Sequence, residues 1–286
     1  MKKQFSWNHI EESIVKALML LSLVIVAGSL TGILITVITR GLPALTIEML
    51  TQIPQGGYYL GKGGGILNAI VGSLYLAGGG TLLALLVSLP IAFYLNVYGK
   101  KTRWGNIVRL SLDVMWGIPS IVYGAFGFAI MLVIGMRASL LAGILVLAML
   151  ELPILARAID EIIRMIPSDL GKASYALGAT KLETAIFVIL RQMIPGLATA
   201  VMLAFGRGIG DAASVLFTAG YTDQIPDSLM SPVASLPLAV FFQLSTPFPE
   251  VQQRAYASAL VLTFIVLLTS FGSRWLSKRL GRYAIK

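Results

Sequence analysis

Cysteine is absent from the 286 residues, and histidine occurs once, at His9. Neither a disulfide framework nor a thiolate or histidine metal centre can be built from such a chain. His9, beside the N-terminal lysines, reads as a solvated tail residue. Charge is scarce as well: Asp, Glu, Lys and Arg make up 12% of the chain against 57% hydrophobic residues, with a mean hydropathy of +0.84. That balance excludes a soluble globular domain and points to an integral membrane protein. No Gly-x-x-x-x-Gly-Lys-Ser/Thr loop is present. Gly61-Lys62-Gly63 and Gly171-Lys172-Ala173 lack both its spacing and its hydroxyl. Without a nucleophile elbow, a His-Glu-x-x-His motif or a cluster of titratable groups, the chain does not read as an enzyme, and it has no device of its own for spending ATP.

Apolar runs are what it has. A hydrocarbon core of about 30 Å takes roughly 20 helical residues. Runs of that order fall near 17–39, 66–97, 107–134, 138–156, 193–217 and 255–276. Six transmembrane helices and an all-α fold are therefore expected. The second run is longer than a bilayer requires and contains Pro90, so it is expected to tilt, kink or project. The first is too long, and lacks a small-residue cleavage site, for a removable signal peptide.

Most of the 22 basic residues fall in segments that lie on one side if the N-terminus is inside. Only Arg40, Lys62, Arg137 and Arg254 fall on the other, and Arg207 lies within a span. The bias predicts that both termini are cytoplasmic, and it accounts for the net charge of +9 without any nucleic-acid partner.

The longest internal loop reads as structured. Arg157 to Arg164 extend the fourth helix, with Asp160 and Arg164 on one face, and Pro167 stops it. Ser168 is the expected N-cap of a short helix, with Asp169 in its first turn. Leu170, Ala173 and Leu177 share a face, and Gly178 stands where a left-handed C-cap belongs. Thr180-Lys181-Leu182-Glu183 then spells a capping box for a second helix. This local pattern fits a rigid protrusion and equally an interfacial helix pair lying on headgroups.

The loop resembles the cytoplasmic coupling loop of ABC importer permeases, whose pattern runs Glu-Ala-Ala, three residues, Gly, nine residues, Ile, any residue, Leu-Pro. Lys172, Ala173, Ser174, Gly178, Val188, Leu190 and Arg191 occupy those positions here, with Lys172 and Arg191 departing from the pattern. From about residue 63 onward the chain is similar to the PstA-type permeases of phosphate importers. Gly64-Gly65-Ile66, Gly117-Ile118-Pro119-Ser120-Ile121-Val122-Tyr123-Gly124, Ala176-Leu177-Gly178-Ala179-Thr180 and Gly206-Arg207 with Gly210-Asp211 carry the likeness. Asp211 stands where that pattern has Glu.

The resemblance implies a type I ABC importer permease fold. Residues 1–62 would hold the tail, first helix and external loop, and residues 63–286 the permease domain with its coupling loop at 157–192. It implies an inner-membrane phosphate permease partnered by a homologous second permease, a dimeric ATP-binding subunit that holds ATP and Mg²⁺, and an external phosphate-binding protein, all in membrane lipid. Contact with the ATPase would fall to Leu170, Lys172, Ala173, Ser174, Leu177, Gly178, Thr180 and Glu183.

Physical chemistry singles out the fifth run independently. An Arg at mid-span costs about 2.5–3.5 kcal/mol on insertion scales and is kept facing a bundle interior or an aqueous cavity. Arg207 and Asp211, four apart, are expected to pair at rest, and a tetrahedral oxyanion could then compete for the guanidinium. The other reading is a salt bridge that only locks helices. Of the remaining acids, Asp113 is expected to pair with Arg109. Glu151, two residues before Pro153, fits either a polar gap or a packed protonated site. Gly28/Gly32 and Gly206/Gly210 are expected to be packing contacts, and Gly78-Gly79-Gly80 a flexible or closely packed point. The segment 218–254 has an apolar stretch too short to span, expected as a helix against the outer mouth.

Overall fold

The computed structural model describes residues 2–55, 63–100 and 102–280. Gly61 and Lys62, the tail residues Arg282 and Lys286, and the side chain of His9 lie outside what is described. Among the described residues the chain is helical apart from loops and one two-residue ladder, β1 (Pro54–Gln55) against β2 (Gly63–Gly64). Five helical stretches are long and apolar enough to cross a bilayer, and six if one bent pair serves as a single span.

The helices are α1 (Lys2–Gly41), α2 (Ile47–Thr51), α3 (Leu67–Val97), α4 (Arg103–Gly117), α5 (Ser120–Ile134) and α6 (Leu140–Met165), then α7 (Ser168–Ala176), α8 (Lys181–Glu183), α9 (Leu190–Ile209), α10 (Leu236–Leu244) and α11 (Pro249–Leu280). The pair α3 and α6 forms the spine, with α9 packed on both and α11 on α9. Leu147, Leu155 and Ile159 of α6 are fully buried in it. Pro90 and Pro153 both sit inside continuous helices. The triple glycine of α3 is a close contact: side chains of Ile144 and Leu147 fill the space a Cβ would take at Gly79 and Gly80. By contrast α1 rests mainly on α11, where Arg40 donates to Tyr256 Oη (3.1 Å) and lies over its ring. Its apolar length is otherwise uncovered, and nothing lies within 4 Å of a Cβ at Gly28 or Gly32, so that pair makes no contact within this chain.

Two expectations are corrected. The third span is not one helix but α4 and α5, bent by 100°. Pro119 has no N–H to donate and holds Ile118 extended (φ −74°, ψ 128°), so the helix must stop there. The Tyr123 hydroxyl braces the corner by donating to Met115 O at 2.8 Å. The fifth span ends at Ile209, not 217, because Gly210 closes the helix and Asp211 starts a new turn. The expected short helix of the 218–254 segment forms as α10, with Leu236, Leu238 and Ala239 fully buried against the packed helices. Its first amides are satisfied by Ser73 Oγ, which accepts from Leu236 N at 2.7 Å, and by Ser235 Oγ.

Gly72 is what lets α3 approach this re-entering segment, since a Cβ there would stand 1.9 Å from the Ala234 carbonyl oxygen and 2.5 Å from Val233 Cγ2. Backbone cannot step aside as a side chain can. Gly72→Ala is expected to lower stability by about 1–3 kcal/mol, while Gly78→Ala, with open space at its Cβ, is neutral or stabilising by up to about 1 kcal/mol. Thermal unfolding of the two variants in detergent checks the contrast.

Candidate substrate path and coupling surface

The 157–192 loop forms as its local signals require, with one change. Ser168 is the first helical residue of α7, and Pro167 takes the cap position without a side-chain bond. Fixed φ suits proline to the start of a helix, and Asp169 instead pairs with Lys172 (2.8 Å), whose ammonium holds that carboxyl below its usual pKa. At the other end Gly178 has φ +86°, Ala179 N donates to Ser174 O and Gly178 N to Tyr175 O. This crossed pair of bonds is the Schellman closure. The capping box follows: Glu183 N donates to Thr180 Oγ1 (3.2 Å) and Thr180 N to Glu183 Oε2 (2.7 Å).

The two short helices are tied together by the Ser174 and Thr184 hydroxyls (2.9 Å), and Lys181 lies over the Tyr98 ring just beyond α3. Their outer face is bare. Leu177 is 90% exposed, and Leu182, Phe187 and Tyr175 are exposed with it, while Leu170 is only half-covered. From Lys181 the chain stays helical through a wider π-type stretch, Thr184–Ile189, into α9.

At the root of this protrusion lies a charge cluster that the sequence did not bring together. Asp160, fully buried near the end of α6, accepts from Arg109 Nε (3.2 Å), Arg157 Nη1 (3.4 Å), Arg164 Nη2 (3.0 Å) and Asn96 Nδ2 (2.7 Å). The expected Asp160–Arg164 pair forms, but the expected Arg109–Asp113 pair does not: Asp113 takes Arg157 Nε at 2.8 Å. A fully buried carboxylate attracts Arg109 more strongly than a half-exposed one does, because water screens the latter.

Arg207 sits in the last turn of α9, exposed on the surface of the chain, and makes no hydrogen bond or ion pair with any described residue. The expected pair with Asp211 is absent. Since the helix ends at Ile209, the two residues no longer share a helical face, and Asp211 Oδ1 accepts from Ser214 N (2.8 Å). On the inner side of the same turn Glu151 of α6 is fully buried, with neither carboxyl oxygen hydrogen-bonded. It faces Gly208, where a Cβ would lie 1.9 Å from its Oε1, and the Thr81 hydroxyl of α3 acts on it. Gly206 meets Thr269 of α11, whereas Gly210 meets only its own backbone, so the expected Gly-xxx-Gly contact is made by one member of the pair.

A bundle of apolar helices with a free cation at one surface and a capped, exposed elbow continuous with the same helix is the membrane subunit of a transporter. The chain belongs to the family of binding-protein-dependent transport system inner membrane components, whose profile matches residues 84–282. It is a multi-pass inner-membrane protein. Similar relatives include the phosphate transport system permease protein PstA of Haemophilus influenzae, 31% identical over 95% of each chain. Another is PstA 1 of Mycobacterium tuberculosis strain H37Rv, 33% identical over 91% of this chain and 85% of that one. The fold is also that of a chain of the inward-facing MetNI methionine ABC transporter (TM-score 0.61, 19% identity, covering 75% of this chain and 95% of that one). A chain of a bacterial alginate ABC transporter, solved with its pentasaccharide-bound periplasmic protein, matches over 95% of this chain and 98% of its own, with a TM-score of 0.56 and 15% identity.

Removing the carboxylate at the centre of the cluster would leave three guanidiniums facing one another. Asp160→Asn is expected to cost about 3–5 kcal/mol, and a second change, Arg109→Gln, should recover part of that loss. Thermal unfolding of the single and double variants in detergent reads the coupling.

Proposed function

We propose that the chain is the phosphate-conducting permease subunit of an ATP-driven importer. The phosphate is carried over from relatives such as those of Haemophilus influenzae and Mycobacterium tuberculosis, similar over nearly the whole chain. The observation that carries the reading at atomic level is the unpaired guanidinium of Arg207. A cation held at the surface of a membrane helix with no internal counter-ion is available to an anion passing along that surface, and its fork of donors matches tetrahedral oxyanions. Asp211 stands beside it, occupied by a backbone amide, and shapes the path without quenching the charge.

On this reading Arg207 faces the seam with a homologous second permease. The transport unit is 63–286, and 1–62 adds a tail, a first helix and an external loop; the apolar length of α1, left uncovered by the rest of the chain, supports that division. Both termini are cytoplasmic, which puts the 157–192 loop inside the cell, where a dimeric ATPase holds ATP and Mg²⁺. An external binding protein delivers phosphate to the opposite face. The bare apolar rim around Leu177, with Leu170, Lys172, Ala173 and Ser174 on α7, is the surface that meets the ATPase. Gly178, Thr180 and Glu183 fix its shape.

Reconstituted complexes test the role of Arg207. Arg207→Lys keeps the charge but loses the fork, and uptake of radiolabelled phosphate is expected to fall about 10–100-fold, the loss of one charge-assisted bond, with assembly and ATP hydrolysis retained. Normal uptake by the variant would rule out the clamp, and equal competition by unrelated anions would move the substrate away from phosphate.

A further inference from the structure

Glu151 has no part in the transport reading so far, and its surroundings are unusual. It is fully buried on α6, and both of its carboxyl oxygens lack a hydrogen-bond partner. The groups that act on it come from two elements. Helix α3 contributes only the Thr81 hydroxyl, while the end of α9 contributes the charges of Arg207 and Asp211. Gly208 is the point of contact, and its missing side chain is what allows α9 to rest on the carboxyl.

Two groups that need partners therefore lie on neighbouring helices, one residue from the place where those helices touch. Neither the guanidinium of Arg207 nor the carboxyl of Glu151 makes a geometric hydrogen bond or ion pair with a described residue, though each feels the other's charge. Asp211, the acid next in line, is held by the amide of Ser214.

We propose that Glu151 is the alternate counter-charge of Arg207, taken up when the passing anion leaves, so that the guanidinium is handed between anion and carboxylate as α9 shifts on α6. The inference rests on the reading of Arg207 as the anion-binding group. Glu151 is then a positioning residue: it competes with the anion for the same donors and keeps the anion from being trapped. A permease lacking that competitor holds its substrate more tightly and releases it more slowly.

The consequence is a split that a purely structural residue would not produce. In the reconstituted complex with its ATPase and binding protein, Glu151→Gln, equal in shape and without charge, is expected to lower the KM for phosphate and the maximal uptake rate together, each about tenfold, the strength of one charge-assisted hydrogen bond. A lowered rate with unchanged KM, or wild-type values of both, overturns the inference. If the Gln form does not assemble, Glu151→Asp decides: its shorter reach should lower KM about threefold, and an unchanged KM refutes the pairing. Arg207→Lys measured alongside separates the two readings. Normal transport by that variant removes the anion clamp itself, whereas a defective Arg207→Lys with an indifferent Glu151→Gln removes only the exchange.

Discussion

One buried carboxylate gives the bundle its fixed point. Asp160 lies out of water with three guanidiniums and an amide around it, and these come from α3, α4 and two places on α6. A charge so placed is tolerable only if its partners stay, which makes the junction of these helices an all-or-none arrangement. Arg109 also donates to Leu95 O at 2.9 Å, so the same side chain closes the end of α3. The bent pair α4–α5 is anchored here too, through Arg109, and α6 runs on from here toward the turn that begins the coupling elbow.

The second half of the elbow and Arg207 belong to one helical stretch. Between Lys181 and Ile209 the chain stays helical for 29 residues, roughly 40 Å at 1.5 Å per residue. Its first turn is locked by the capping box, and its last turn carries Arg207. On the proposed reading, a displacement of the elbow reaches the contact between Gly208 and Glu151 through this one helical stretch, which includes the π-type turn at Thr184–Ile189 and Pro195. The Schellman closure and the Ser174–Thr184 bond hold the turn that precedes it.

The features legible in the sequence were those whose causes are local. Pro167, Gly178 and the Thr180–Glu183 box act within a few residues, and the elbow they describe is the one that forms, save that Pro167 displaced Ser168 from the cap. The lengths of α3 and α6 followed from apolar runs. Pro119 was a local signal too, and reading residues 107–134 as one span gave it too little weight. What could not be read were choices among distant partners. Arg109 had Asp113 one turn away and took Asp160, 51 residues along the chain, because burial decides between two acids and burial is set by the tertiary packing. A pair between Arg207 and Asp211 requires an unbroken helix; Gly210, and an aspartate able to accept from Ser214 N, are the signals against it. The core position of α10 depended on Gly72 and Ser73, about 160 residues earlier.

The proposed contact between the elbow and an ATP-hydrolysing subunit is the point on which the proposed coupling depends, and a chain without cysteine is suited to testing it directly. Leu177→Cys places a single thiol at the most exposed apolar position of the elbow. In the assembled transporter the thiol should be shielded from a water-soluble maleimide and should cross-link to the ATPase with arrest of phosphate uptake. Labelling as fast in the complex as in the isolated chain, with no cross-link, would contradict the coupling.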